Sequence, residues 1–495
     1  MKNNNLKRFL IAGIGLFAAT SCTDLVNEET DSIVRAETGG FSPGNASELL
    51  ISAYKDLGTF TDQANIYALG QHTTAEMIPP TRGVDWGDNG VWRTLDQHTW
   101  DATHSWVTNS WNQLNQRIFK CNEIIASNPT PAQKAEAQFL RAFNMFHVMD
   151  FWGQVPIREV TDGVDVNPKI LTRSEAFDYI LKDLTEALPN LAKVGPSAVN
   201  PKANKAAANF LIAKMYLNKA VYKSATPEGP YTHAAGDMAQ VIAAVDAITA
   251  DGYSVSDDYF KNFTASATTE TILNSDEGSP SNRWFMTLHY DQNPSGWNGF
   301  ATLADFYDTF ETGDIRKGIP AKGDGKEFSG IGYGFLIGQQ INDKGQAITD
   351  SRSKKPLQFS RDVNLAGTPT EKGIRAIKYH PATAGKYILM RYSEAYLMKA
   401  EALLRSGKAA DGLALVNSLR AKRAAKPLAS LTENALFEEI GRELYWEGGK
   451  RTVEVRYGKF TTGTGTLIKD AYTVLFPIPS AAIVSNPNLT QNKGY

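Results

Sequence analysis

Residues 132–153 read Ala-Gln-Lys-Ala-Glu-Ala-Gln-Phe-Leu-Arg-Ala-Phe-Asn-Met-Phe-His-Val-Met-Asp-Phe-Trp-Gly. Ala135, Phe139, Ala142, Phe143, Phe146 and Met149 recur at three- and four-residue steps. That spacing lays one apolar stripe along a helix. Outward from this stretch, helices are predicted at 46–58, 107–127, 173–188, 204–222 and 233–250, then at 387–404, 409–423 and 432–447. Asn204 suits a helix start, and Thr172 with Glu175 has capping-box spacing. Gly448-Gly449 reads as a C-terminal stop.

The helix pairs, with small residues such as Ala395 and Ala402 on a packing face, resemble tetratricopeptide-type hairpins at irregular spacing. The region 251–385 differs: it is rich in Gly, Ser, Asn, Asp and aromatics and lacks long helical stripes. The fold expected is therefore mainly α, a scaffold of tetratricopeptide-like helical hairpins with an irregular loop-rich lobe containing short strands. Six segments follow: a signal peptide (1–21), a flexible acidic tether (22–45), a first helical part with an aromatic loop at 79–100 (46–250), a ligand-facing lobe (251–385), a second helical part (386–450) and an extended C-terminal strap (451–495).

Among 495 residues the net charge is −2 with both signs interspersed. Nucleic-acid partners, which call for a basic patch, are not expected. Lys2, Lys7 and Arg8 precede the apolar run Phe9–Thr20. That run is shorter than the ~20 residues a membrane span needs and suits an export signal. Ala18-Ala19-Thr20-Ser21-Cys22 resembles a bacterial lipobox, although Ala19 stands where Leu is usual. Cys22 is the expected lipidation site. Cys121 is then left without a partner, so the exported fold has no disulfide.

Sugars are gripped by flat aromatic faces beside planar polar groups. Two stretches supply both. Residues 79–112 contain Arg82, Asp85, Trp86 and Trp92, and turn residues place both tryptophans in a loop. Trp106 and Trp111, beside a helix, are expected in the core. In 283–300, alternation from Trp284 to Tyr290 predicts a strand. Asn293-Pro-Ser-Gly296 then turns the chain to present Trp297 and Asn298. The expected glycan contacts are Arg82, Asp85, Trp86, Trp92, Tyr290, Trp297 and Asn298.

Three further stretches carry a resemblance. They are Ala135–Phe143 through Asp150-Phe-Trp-Gly153-Gln-Val-Pro156; Arg391-Tyr-Ser-Glu394-Ala-Tyr-Leu-Met-Lys-Ala-Glu401 with Gly441-Arg442-Glu443-Leu-Tyr-Trp-Glu447-Gly448; and the ending Phe476-Pro-Ile-Pro479 to Asn486-Pro-Asn-Leu-Thr-Gln491 and Gly494-Tyr495. In this order they resemble the SusD/RagB family of outer-membrane glycan-binding lipoproteins. The resemblance implies four tetratricopeptide-like pairs, oligosaccharide binding outside the cell, and an outer-membrane anchor through lipid. It also implies a TonB-dependent barrel of the SusC type as partner, delivering glycan for nutrient uptake.

No enzymatic activity is expected. The seven His are scattered without metal-ligand spacing, and neither a His-Glu-x-x-His nor a Gly-x-Ser-x-Gly motif occurs. Arg141, Arg391, Glu394, Glu401, Arg442, Glu443 and Glu447, set in apolar helices, read as structural ion pairs. A glycan hydrolase, which needs two carboxylates such as Asp305 and Asp308, and a lid for peptide import are the alternatives. No cofactor is expected; calcium is the one ion the Asp/Asn-rich loops would suit.

Overall fold

In a computed structural model, residues 41–163, 165–463 and 466–495 are described. The signal segment, Cys22 and the tether up to residue 40 lie outside the described residues. The fold is mainly α. Successive helices pack as neighbours: Ser105–Ala126 on Pro131–Trp152, that helix on Arg173–Ala187, Lys205–Leu217 on Ala235–Ala250, and Tyr392–Arg405 on Ala409–Lys422. Tyr392–Arg405 also packs on Ala235–Ala250, which joins the two helical parts across the lobe. No helix of the described residues is long and apolar enough to cross a membrane.

The apolar stripe from Ala135 to Met149 lies in the main hydrophobic core. Ala135, Phe139, Ala142 and Met149 are wholly or almost wholly buried, and each large apolar side chain so covered contributes roughly 1.5–3 kcal/mol. Thr130 caps that helix reciprocally with Gln133. The expected Thr172–Glu175 box forms at Arg173–Ala187, and Asn204 accepts the Ala207 N–H at 2.9 Å. Two boundaries move. Residues 388–391 form a strand paired with Thr271–Asn274 before the helix begins at Tyr392. The 433–444 helix stops before Gly448, because Tyr445 and Trp446 leave the helical conformation, Trp446 with φ +58°.

The C-terminal segment is not wholly extended: Lys450–Arg456 and Ser480–Ser485 are helices. Beyond residue 475 it does run along the helices as a strap. The Phe476 N–H donates to the Phe151 carbonyl at 2.8 Å, and Asn492 donates to Trp152 at 2.9 Å and Phe476 at 2.7 Å.

The charged helical residues are ion-paired as expected. Arg391 reaches Glu270 (3.0 Å), Glu443 (3.0 Å) and Glu447 (2.7 Å). Glu443 also takes Arg423 (2.9 Å) and Arg316 (3.1 Å). Glu401 sits between Arg405 and Arg456, both at 2.8 Å. Arg442 pairs with Glu439 at 2.8 Å, Arg141 with Asp183 at 2.7 Å, and Glu394 with Lys214 at 2.8 Å. Burial raises the Glu443 carboxyl, but Arg423 and Arg391 outweigh it and hold the group well below the usual range. Because Glu270 and Arg316 come from the lobe, this network fastens the lobe to the helices.

Candidate functional site

Two loops that are far apart in sequence are brought together by a two-stranded sheet. Met77 and Ile78 pair antiparallel with Thr302 and Ala301, so the loop leaving residue 78 lies beside the loop arriving at 301. All seven residues predicted from those loops gather there, in two layers.

The lower layer is buried. Arg82 is almost wholly buried, donating to Pro369 at 2.7 Å and to Gly299 at 3.3 Å. Burial lowers its pKa to about 10, with Tyr290 and Glu371 opposing the shift, so it remains charged at neutral pH. Asn298, also buried, donates to Thr370 at 2.9 Å and accepts from Arg375 at 2.6 Å. Trp92 stands in the Val91–Gln97 helix rather than in a loop, buried, with its Nε1 donating to Asp88 at 2.7 Å. Direct sugar contact expected of Arg82, Trp92 and Asn298 is thus corrected: chain already covers these side chains, and they support the layer above. Trp111 is in the core and Trp106 packs half-buried against it, its ring 5.4 Å from that of Trp92.

The upper layer meets solvent. Trp297 is 51% exposed. Half-buried Trp86 lies beside it, ring centroids 6.3 Å apart, and donates its Nε1–H to the Trp297 carbonyl at 2.8 Å. Phe285 also packs against Trp297, ring centroids 4.9 Å apart. Tyr290 lies under the Arg352 guanidinium, 4.0 Å away, and Arg352 pairs with Asp85 at 2.8 Å. The Tyr290 hydroxyl also meets Asp85 at 3.4 Å. The surface is therefore an indole shelf edged by a carboxylate, a guanidinium and a phenol. Such a shelf can stack against the apolar face of a sugar ring while the polar edge grips hydroxyls.

Its backbone is strained. Trp86 (φ +64°), Asp88 (+39°), Asn89 (+54°) and Asn298 (+51°) all occupy the left-handed region. Each such residue costs of order 1–3 kcal/mol and persists only where its surroundings enforce it, a pattern that gathers at functional sites. Gly299 is required by close approach, since a Cβ there would strike the Trp86 indole.

The expected strand at 284–290 is absent. Asn282–Phe285 is a short helix, and the Leu288 N–H donates back to the Trp284 carbonyl at 3.0 Å. Arg283 drives this turn, its guanidinium buried 3.6 Å over the Tyr67 ring and donating to Phe60 at 3.1 Å. Sequence reasoning missed Arg352 and Phe285. No local pattern marks Arg352, whose partner Asp85 is 267 positions away. Of the carboxylates weighed for hydrolysis, Asp308 is engaged by Arg361 at 2.7 Å.

The helical frame thus carries an exposed aromatic shelf where two loops meet. The chain belongs to the SusD/RagB family: residues 55–217 match the family described as starch-binding and associating with the outer membrane, and residues 253–469 match the SusD family. The starch-binding protein SusD of Bacteroides thetaiotaomicron is 25% identical, with 100% of both chains covered. SusD-like protein P38 of Formosa agariphila is 23% identical over 78% of this chain and 79% of its own. Among solved structures, a SusD-like protein from Bacteroides fragilis superposes with TM-score 0.69 at 20% identity, covering 94% of this chain and 98% of that one. A laminarin-binding SusD-like protein gives 0.65 at 19%, covering 92% and 100%. These superpositions establish the mainly α fold.

Proposed function

We propose that this protein captures an oligosaccharide outside the cell on the Trp86–Trp297 shelf and passes it to a TonB-dependent outer-membrane barrel, above which it sits as a lid held by lipid on Cys22. The observation that carries the binding step is the exposed Trp297 ring beside Trp86, with the Asp85–Arg352 pair along its edge. Family membership supports carbohydrate binding rather than catalysis, and two relatives are named for starch and laminarin. The engaged glutamates of the helices support a structural role for those charges.

Titration calorimetry against α- and β-glucan oligosaccharides, with Trp86→Ala and Trp297→Ala, tests the shelf. Loss of affinity with an unchanged melting temperature is expected; unchanged affinity in both variants overturns it. Release of reducing sugar from any of these glycans would point instead to a hydrolase. Co-purification with a large barrel from detergent-treated native membranes is expected for the lid, and recovery as a lone monomer would overturn that part.

A further inference from the structure

On either side of Tyr290 in the chain, His289 and Asp291 converge with Asp350, one imidazole nitrogen and one oxygen of each carboxylate lying within 4.8 Å of one another. His289 and Asp350 are wholly buried and Asp291 is half-buried. The His289 Nε2 has no hydrogen-bond partner; it faces the Asp350 carboxylate at 3.8 Å, too long for a hydrogen bond. On the other side of the ring, Nδ1 lies 3.5 Å from the Asp291 carboxylate and accepts the Asp291 backbone N–H at 3.2 Å. An orphaned, buried ring nitrogen costs the full desolvation of that group unless something binds it.

We propose that His289, Asp291 and Asp350 bind one first-row divalent cation, with zinc as its representative. One imidazole and two carboxylates form the mixed N/O set that suits such ions at about 2.0–2.2 Å; a calcium site would be built from oxygen alone. The observed 3.8 Å between Nε2 and the carboxylate is a gap that an ion at these bond lengths bridges. The imidazole binds such an ion in its neutral form. With the ion on Nε2 the proton must sit on Nδ1, which then donates toward the Asp291 carboxylate 3.5 Å away in place of accepting the Asp291 backbone N–H. Asp350 is pre-oriented by the N–H groups of Arg352 (2.8 Å) and Ser353 (3.3 Å) and by the Thr370 hydroxyl, the outer contacts that hold a ligand carboxylate in place.

The placement gives the ion a consequence. His289 and Asp291 flank Tyr290, and Asp350 stands two residues before Arg352. A bound cation would fasten the two segments whose side chains stack at the polar edge of the shelf. That consequence rests on the shelf being the glycan surface; the metal site itself does not.

The test uses the protein stripped with EDTA and titrated with Zn²⁺, Mn²⁺ and Ca²⁺ by calorimetry. One Zn²⁺ per chain is expected, and His289→Gln and Asp350→Asn should each weaken it at least tenfold. No binding, unchanged binding in both variants, or preference for Ca²⁺ would overturn the proposal. Should either buried variant fail to fold by circular dichroism, X-ray absorption of the wild-type zinc complex decides: a nitrogen and oxygen shell supports the site, and an all-oxygen or sulfur-containing shell overturns it. Glycan affinity measured with and without zinc separates the two readings. Zinc binding with no glycan affinity in either form sinks the shelf and leaves the metal site standing.

Discussion

The helical core and the aromatic shelf use the same residue types for opposite ends. In the core, Arg391 is wholly covered and engages three carboxylates. On the shelf, Arg352 has a half-exposed side chain, engages one carboxylate and lies over one ring. Trp92 and Trp297 differ in the same way, one sealed beneath neighbours and the other open to solvent. A charge in low dielectric is costly unless matched, and Arg391 is accordingly engaged by carboxylates on several sides. A charge at the surface is held loosely and is free to exchange its partner for a ligand hydroxyl. The difference is one of coverage rather than chemistry, and coverage can be altered one residue at a time.

The largest break is expected in the core. Glu443→Ala leaves Arg391, Arg423 and Arg316 short of a carboxylate they all share. Removing one partner of a buried pair costs about 3–5 kcal/mol, and because Arg391, Arg423 and Arg316 each lose a partner while keeping others, a loss in this range is expected. Urea unfolding measures it. A loss below about 1 kcal/mol would mean that the network is not what fastens lobe to helices. The shelf should respond in the opposite sense. Trp297→Ala is expected to weaken glycan binding about tenfold, roughly 1.4 kcal/mol, while the urea midpoint stays unchanged.

Acid sharpens the contrast. Burial raises the Glu401 carboxyl, but Arg456 and Arg405 overcome it and bring the folded-state pKa to about 2, below its ordinary 4.5. A carboxyl depressed on folding stabilises the protein above its unfolded pKa, and that stabilisation is lost as pH falls through the folded value. Melting temperature should therefore drop between about pH 4.5 and 2. In Glu401→Gln the drop over this window should be smaller, from a lower starting point. Equal slopes in both proteins would remove Glu401 from the account.

How much of this was legible in the sequence follows the same division. Helices are local, so the stripe from Ala135 to Met149 and the caps at Thr172 and Asn204 could be read from neighbours a few residues apart. The ion pairs were legible in kind, because charges set among apolar helical positions have few other fates. The shelf was legible only as two candidate loops. Their meeting depends on the pairing of Met77–Ile78 with Ala301–Thr302, a long-range contact with no local mark. The division into layers was hidden for the same reason: whether Trp92 or Trp86 faces solvent is decided by chain arriving from elsewhere. The false strand at 284–290 came from reading alternation in a segment whose turn is set by Arg283 reaching Tyr67 and Phe60.

The smallest expected effect is the most discriminating. The Arg352–Asp85 pair is exposed enough that its own contribution to folding is at most about 1 kcal/mol, and the cation–π contact with Tyr290 adds ~0.5–1 kcal/mol at such a site. Arg352→Ala should leave the melting temperature within a degree or two. If Arg352 only decorates the surface, glycan affinity will not change either. If it holds Asp85 and Tyr290 in place for the ligand, affinity should fall about two- to fivefold. Arg352→Lys, which keeps the charge but loses the planar fork, should recover only part of that. Full recovery by lysine would show that charge alone acts there, and that the flat stack on Tyr290 has no part in binding.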